Sequence, residues 1–268
     1  MSRNIGGSQT EHPLVQMTPY PLRQDLPGVP HYVFDPRKRL IAGSQGNLMH
    51  IAIANVLSAE ETKTVRAALE RARFIEGGTT AGFAARTVKD NWQAAGADRS
   101  LEIVRKLVAE RILGNELFCL AARPKALSPL LFSRYDTGMQ YGSHVDDALM
   151  DGMRTDVSFT LFLSDATSYD GGELIIDSAS GEETFKLEAG ALIAYPATSL
   201  HRVGPVTRGA RLAAVGWARS FVRDPAQREL LFDLDTARRQ LFAREGKSAE
   251  FDLISKSFAN LLRMWAED

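Results

Sequence analysis

The fold class this sequence predicts is mainly β, an antiparallel sandwich or barrel with flanking helices, and three observations predict it. From about residue 127 onward, short apolar runs follow one another between glycine and proline turns: Val157, Phe159, Leu161 and Leu163 alternating with Ser158 and Thr160, then LII, FKL, ALIAY and LAAVGW. Before them lie two stretches whose apolar residues recur with a helical period. After residue 224 the chain turns helical again. At 268 residues one large domain with extra segments and two compact domains are both allowed, and composition does not choose between them.

Six of the eleven prolines fall before residue 37, in a segment with neither a 3.6 nor a 2.0 apolar period, so residues 1–47 read as an extended N-terminal arm. Tyr20, Tyr32 and Phe34 give the arm something to dock with. Gly43-Ser44-Gln45-Gly46 is a hinge ahead of the strand-like run MHIAIANVL. Ser58-Ala59-Glu60-Glu61 is a capping box, and the helix it opens brings Val65, Leu69 and Ala72 onto one stripe. A second helix is expected over residues 99–113, with Leu101, Val104, Val108 and Ile112 inward. Gly171-Gly172-Glu173-Leu174 reads as a turn entering a strand, a matter of fold rather than chemistry. Asp224-Pro225 is a helix start, aspartate as the cap and proline in the first turn, leading to Leu230, Leu231, Leu234 and Leu241 on one side. The expected divisions are therefore the arm (1–47), a domain of helices and strands (48–222) and a C-terminal helical segment (223–268).

Lys plus Arg is 32 against 33 Asp plus Glu, so no overall basic field exists to attract nucleic acid or anionic lipid. No stretch approaches the roughly 20 apolar residues that cross a bilayer, and the first twenty residues lack an apolar run of signal-peptide length. A soluble, cytoplasmic protein is expected. Cys119, the single cysteine, excludes an internal disulfide and any cysteine-based metal knuckle, and reads as buried packing.

Chemistry is concentrated in Tyr141–Leu149, YGSHVDDAL. In a strand, His144 and Asp146 share a face with Cα atoms about 7 Å apart, while Val145 and Asp147 face away. A pair alone is weak evidence for a metal. Of the five histidines, His12 and His31 lie in the arm and His50 opens the first strand, where a structural role is expected. His201 remains, separated from Asp146 by 54 residues, at the end of AGALIAYPATSLH and before a turn. Two imidazoles and one carboxylate without sulfur form the facial set used for non-haem ferrous iron, leaving about three of six octahedral positions open. Zinc is the rival metal, since three ligands and a water also describe hydrolytic sites. Arg211 discriminates. Alone it reads as a solvated strand-end charge, as Arg208 does; beside the triad its spacing favours an anchor for a carboxylate.

These residues carry a family resemblance. RYDTGMQYGSHVDD, RTDVSFTLFLSD, YDGGELII and AGALIAYPATSLHRVGPVTRGAR resemble the Fe(II)- and 2-oxoglutarate-dependent dioxygenases of the prolyl 4-hydroxylase type, and most closely the bacterial PKHD-type hydroxylases. SFVRDPAQRELLFDLD and NLLRMWAED are similar to that subgroup's helical tail, so the likeness runs from about residue 48 to the C-terminus. The resemblance implies a double-stranded β-helix, or jelly-roll, core. It implies His144, Asp146 and His201 as Fe(II) ligands, Arg211 holding the distal carboxylate of the cosubstrate 2-oxoglutarate, and Tyr135 contacting that cosubstrate. O2 is the second cosubstrate, and ascorbate (vitamin C) suits re-reduction of the iron. Such an enzyme oxidises a C–H bond of a peptidyl or small-molecule substrate and releases succinate and CO2. The alternatives are a zinc hydrolase on the same triad and a non-catalytic module that senses iron and 2-oxoglutarate. Tyr141 and Arg154 are expected at the pocket mouth, and residues 76–98, with Trp92, and 147–154 in its wall. The arm and the C-terminal leucines suit a homo-oligomer.

Overall fold

The computed structural model describes residues 15–16, 50–95, 99–179 and 181–268. The rest of the arm, with the hinge at Gly43–Gly46 and with His12 and His31, lies outside the described residues.

Two antiparallel sheets face one another. The larger runs in the order Ile51–Ile53, Leu192–Pro196, Val157–Phe162, Ala210–Ser220, Leu131–Asp136, Trp92–Ala94, Phe74–Glu76. Pro124–Leu127 adds to the far half of the long Ala210–Ser220 strand, and Val15–Gln16 from the arm pairs with Pro124–Leu127. The smaller runs Gly181–Phe185, Leu174–Ser178, His201–Val203, Gln140–His144, Lys89–Asp90. This is the jelly-roll core.

Helices cover the outer face of the larger sheet. The first, α1 (Ala59–Glu70), begins at the anticipated capping box, with Ser58 Oγ accepting from the Glu61 amide and Glu61 reaching back to the Ser58 N–H. The second, α2 (Arg99–Gly114), buries the four expected residues, Leu101, Val104, Val108 and Ile112. Each of these aliphatic side chains, leaving water almost completely, contributes about 1.5–3 kcal/mol. A short helix, α3 (Glu116–Ala122), follows with Asn115 as its cap. It places Cys119 half-buried, its thiol donating to the Leu113 carbonyl. Too few residues separate α3 from α2 for periodicity to resolve it.

Asp224 caps α4 (Pro225–Glu245), and α5 (Ala249–Trp265) packs back against it. The inward stripe of α4 is Arg228, Leu231, Phe232 and Asp235. Leu230 is 52% exposed, contrary to the expected leucine face. The stripe is rotated because Arg228 reaches in to the carbonyls of Val222, Arg223 and Asp156, and Asp235 holds Arg238 and Arg239.

The larger sheet is buried on both faces. Val157, Phe159 and Leu161 join the core under the helices, whereas Phe162 belongs to a second cluster between the sheets with Tyr135, Leu174, Ile176, Ile193, Tyr195, Val203 and Val206. Alternation then sends Ser158 and Thr160 into the barrel with Phe162, at 2% and 3% exposure.

Candidate metal centre

The two histidines are cross-strand neighbours. The Gln140–His144 and His201–Val203 strands pair antiparallel with His201 opposite His144. A separation of more than fifty residues in sequence becomes a ring-centroid distance of 4.3 Å. The strand ends at His144, so Asp146 is not on it, contrary to the alternation argument. The chain after His144 still returns the Asp146 carboxylate to the same point, and Val145 and Asp147 are exposed. One ligand atom from each of His144, Asp146 and His201 lies within 4.8 Å of the others. Nε2 of His144 is 4.0 Å and Nε2 of His201 is 3.9 Å from the two Asp146 oxygens.

The surroundings fix the protonation each ligand needs. Nδ1 of His144 lies 2.9 Å from the Gly142 carbonyl and Nδ1 of His201 3.0 Å from that of Ser199. A carbonyl only accepts, so each Nδ1 carries the proton and each Nε2 presents its lone pair to the centre. Burial, and then the neighbouring His201, push His144 down to about 4, so its imidazole is neutral at pH 7. Ser158 donates from Oγ to Asp146 Oδ2 at 2.5 Å and fixes that carboxylate's rotation. Tyr141 stacks on His144 at 3.6 Å, and Tyr195 meets His201 edge-on at 5.1 Å. Three short donors held with free lone pairs fit a divalent cation bound on one side.

Arg211 is fully inside, at 1% exposure. It pairs across the strands with Tyr135, and its guanidinium carbon lies 5.3 Å from the ring centres of both Tyr135 and Phe162. No carboxylate among the described residues pairs with it, and its Nε has no hydrogen-bond partner. The Tyr169 hydroxyl is also buried, and Arg211 is the group it meets. Tyr169 and Arg211 pack over Gly172, where a Cβ would come 3.2 Å from Tyr169 Cε2 and 3.1 Å from Arg211 Cδ. A buried cation without a carboxylate partner, with a hydroxyl beside it, is a receptor for an anion. Tyr169 was not singled out from sequence; its place two residues before the glycine pair was the available signal. Ser158 was also missed, although the strand alternation contained it.

Of the other expected positions, Trp92 is half-buried on the strand beside Leu131–Asp136. Arg154 turns away from the metal centre to Asp156, Glu267 and the Ser220 carbonyl, tying the barrel to the end of the chain. Residues 149–154 form a tight hairpin whose turn residues, Asp151 and Gly152, both have positive φ. His50 approaches Glu183 at 3.4 Å, a structural role as expected. Arg208 is an exposed partner of Asp170. No helix among the described residues is long and apolar enough to cross a membrane.

A jelly roll that converges two imidazoles, one carboxylate and a buried, unpaired arginine defines the class of mononuclear non-haem iron oxygenases that use a 2-oxo acid. The family and sequence comparisons agree. Residues 130–219 match the 2OG-Fe(II) oxygenase superfamily and residues 225–267 the PKHD-type hydroxylase C-terminal domain. A PKHD-type hydroxylase of Picosynechococcus sp. is 52% identical over 219 residues, 82% of this chain and 100% of that protein. One from Acaryochloris marina is 54% identical over the same shares. Among solved structures, a Pseudomonas putida prolyl-4-hydroxylase aligns with a TM-score of 0.49 at 22% identity, over 64% of this chain and 92% of that one. The chain belongs to the PKHD-type hydroxylases. It is a 2-oxoglutarate-dependent hydroxylase whose family uses Fe(II), 2-oxoglutarate and O2.

Proposed function

We propose that the protein hydroxylates an unactivated C–H bond of a peptidyl or small-molecule substrate, with succinate and CO2 as coproducts, and that His144, Asp146 and His201 hold the iron. The observation that carries this reading is the pairing of the three-donor centre with Arg211, a buried cation lacking an anion. A zinc hydrolase gives that arginine no necessary role. When bound, Fe(II) supplies the redox chemistry with O2 and 2-oxoglutarate that a polypeptide lacks.

The chain's own residues place and shield. Arg211, with Tyr135 and Tyr169 beside it, would hold the distal carboxylate of 2-oxoglutarate. Gly142 and Ser199 keep the imidazoles in the ligating tautomer through their carbonyls, and Ser158 holds Asp146. Phe162, Ile193 and Val203 form an apolar lining that keeps bulk water out and strengthens the Arg211 contact.

The test is anaerobic addition of Fe(II) and 2-oxoglutarate to the purified protein. A visible charge-transfer band is expected, followed by succinate when air is admitted. Hydrolysis without oxygen or 2-oxoglutarate would establish the zinc reading instead, and a band without succinate a sensor.

A further inference from the structure

A second cation, half-buried, stands near the centre. The segment Lys89-Asp90-Asn91-Trp92-Gln93 crosses from the edge of the smaller sheet, where Lys89 pairs with Tyr141, to the larger one, where Trp92 pairs with Arg134. Alternation sends Lys89, Asn91 and Gln93 to one face and Asp90 to solvent. Asn91 and Gln93 are 4% and 3% exposed. The Lys89 ammonium lies 5.2 Å from the centre of the Tyr141 ring, and that ring in turn stacks on His144. Its hydrogen bond goes to a neutral acceptor, Thr80 Oγ1 at 3.1 Å, which itself donates to Gln93. No carboxylate lies within ion-pair distance of Lys89 among the described residues.

Asn91 is the independent observation. One register step beyond the Trp92–Arg134 pair it stands opposite Tyr135, and its side chain approaches the Tyr135 hydroxyl. Beyond that contact, neither its amide oxygen nor its amide nitrogen has a hydrogen-bond partner among the described residues, and a buried polar group left unmet is costly. Gly77 makes room for it, since a Cβ there would fall 1.8 Å from Asn91 Oδ1. This wall therefore offers an ammonium over the Tyr141 ring that stacks on His144, and an incompletely satisfied amide beside Tyr135.

Charge decides what it is for. On the reading proposed above, the two positive charges of Fe(II) and the one on Arg211 are balanced by one on Asp146 and two on 2-oxoglutarate. Lys89 is left over. We infer that Lys89 and Asn91 are specificity-determining residues that select a substrate bearing a carboxylate near the carbon to be hydroxylated, Lys89 pairing with that carboxylate and Asn91 with a neighbouring amide.

The probes are matched pairs of N-acetyl amino acids and their primary amides, titrated anaerobically into the protein loaded with Fe(II) and 2-oxoglutarate while the charge-transfer band is followed. In the wild type, acids should perturb the band at concentrations about tenfold or more below their amides. Lys89→Met, which keeps the apolar stem over Tyr141, should abolish that preference, and Lys89→Arg should retain it. Asn91→Ala should weaken acid and amide alike. Equal response to acids and amides, no response to any acid, or a preference that survives in Lys89→Met overturns the inference. So does a Lys89→Met effect confined to the half-saturation for 2-oxoglutarate, which would make Lys89 a cosubstrate residue. Failure of the band to form in the wild type would instead remove the proposed function on which this inference rests.

Discussion

Lys89→Met should make the metal-free protein more stable near neutral pH. Burial is the main influence on the ammonium and takes it from the ordinary 10.5 down to about 8, with the Asp146 charge opposing that fall. The gap corresponds to about 3 kcal/mol at roughly 1.4 kcal/mol per pH unit. The lost Thr80 hydrogen bond and the contact with the Tyr141 face return about 1 kcal/mol or more. A net gain of about 1–2 kcal/mol is expected at pH 7, or about 2–8 °C in Tm for a chain of this size. The sign depends on pH. Below about 8 the lysine is charged in both folded and unfolded chains, and the folded state bears the full cost. Between about 8 and 10.5 only the unfolded chain keeps the proton, so wild-type stability climbs relative to the variant and the difference closes. The assay is thermal unfolding in chelator at pH 7, 8, 9 and 10. A variant less stable than wild type at pH 7, or a difference that does not change over this range, refutes the claim that Lys89 is a cation buried without compensation.

The other predictions concern the centre itself. His144→Ala and Asp146→Ala should abolish iron-dependent succinate formation, and retained turnover in either would remove that residue from the ligand set. Ser158→Ala frees the Asp146 carboxylate to rotate and should weaken Fe(II) affinity by about 10–100-fold in a metal titration, with the fold intact by circular dichroism. Arg211→Ala should chiefly raise the 2-oxoglutarate concentration for half-saturation of the charge-transfer band; unchanged cosubstrate dependence would dismiss the arginine. Gly171→Ala should destabilise by several kcal/mol in denaturant unfolding, because φ is +70° and the added Cβ would lie 2.0 Å from the Pro205 oxygen.

Local signals were legible in the sequence where one turn or one strand decides the outcome. The capping box at Ser58, the aspartate cap with proline at α4 and the inward face of α2 depend on residues a few positions apart, so the sequence alone placed them. The two histidines and the aspartate were legible by elimination, since few imidazoles existed to choose from and sulfur was absent. Alternation failed at Asp146, because the strand ends two residues too soon, and at Leu230, because Arg228 and Asp235 claim the inward face of α4.

What the sequence determined by itself is the kind of chemistry: a sulfur-free set of donors and an arginine at the right distance along a β-rich chain. What only the tertiary structure decided is which polar side chains those donors meet. Period-two alternation tells that Ser158 and Thr160 share a face, but not whether that face looks onto water or into the barrel, where Ser158 meets Asp146. It also cannot tell that Lys89, more than fifty residues ahead of His144, comes to lie over the Tyr141 ring that stacks on it, because that proximity is created by strand pairing between distant segments. The physical reason is that the cost of burying a charge or an amide depends on what surrounds it in three dimensions, and adjacency along the chain carries no record of those surroundings.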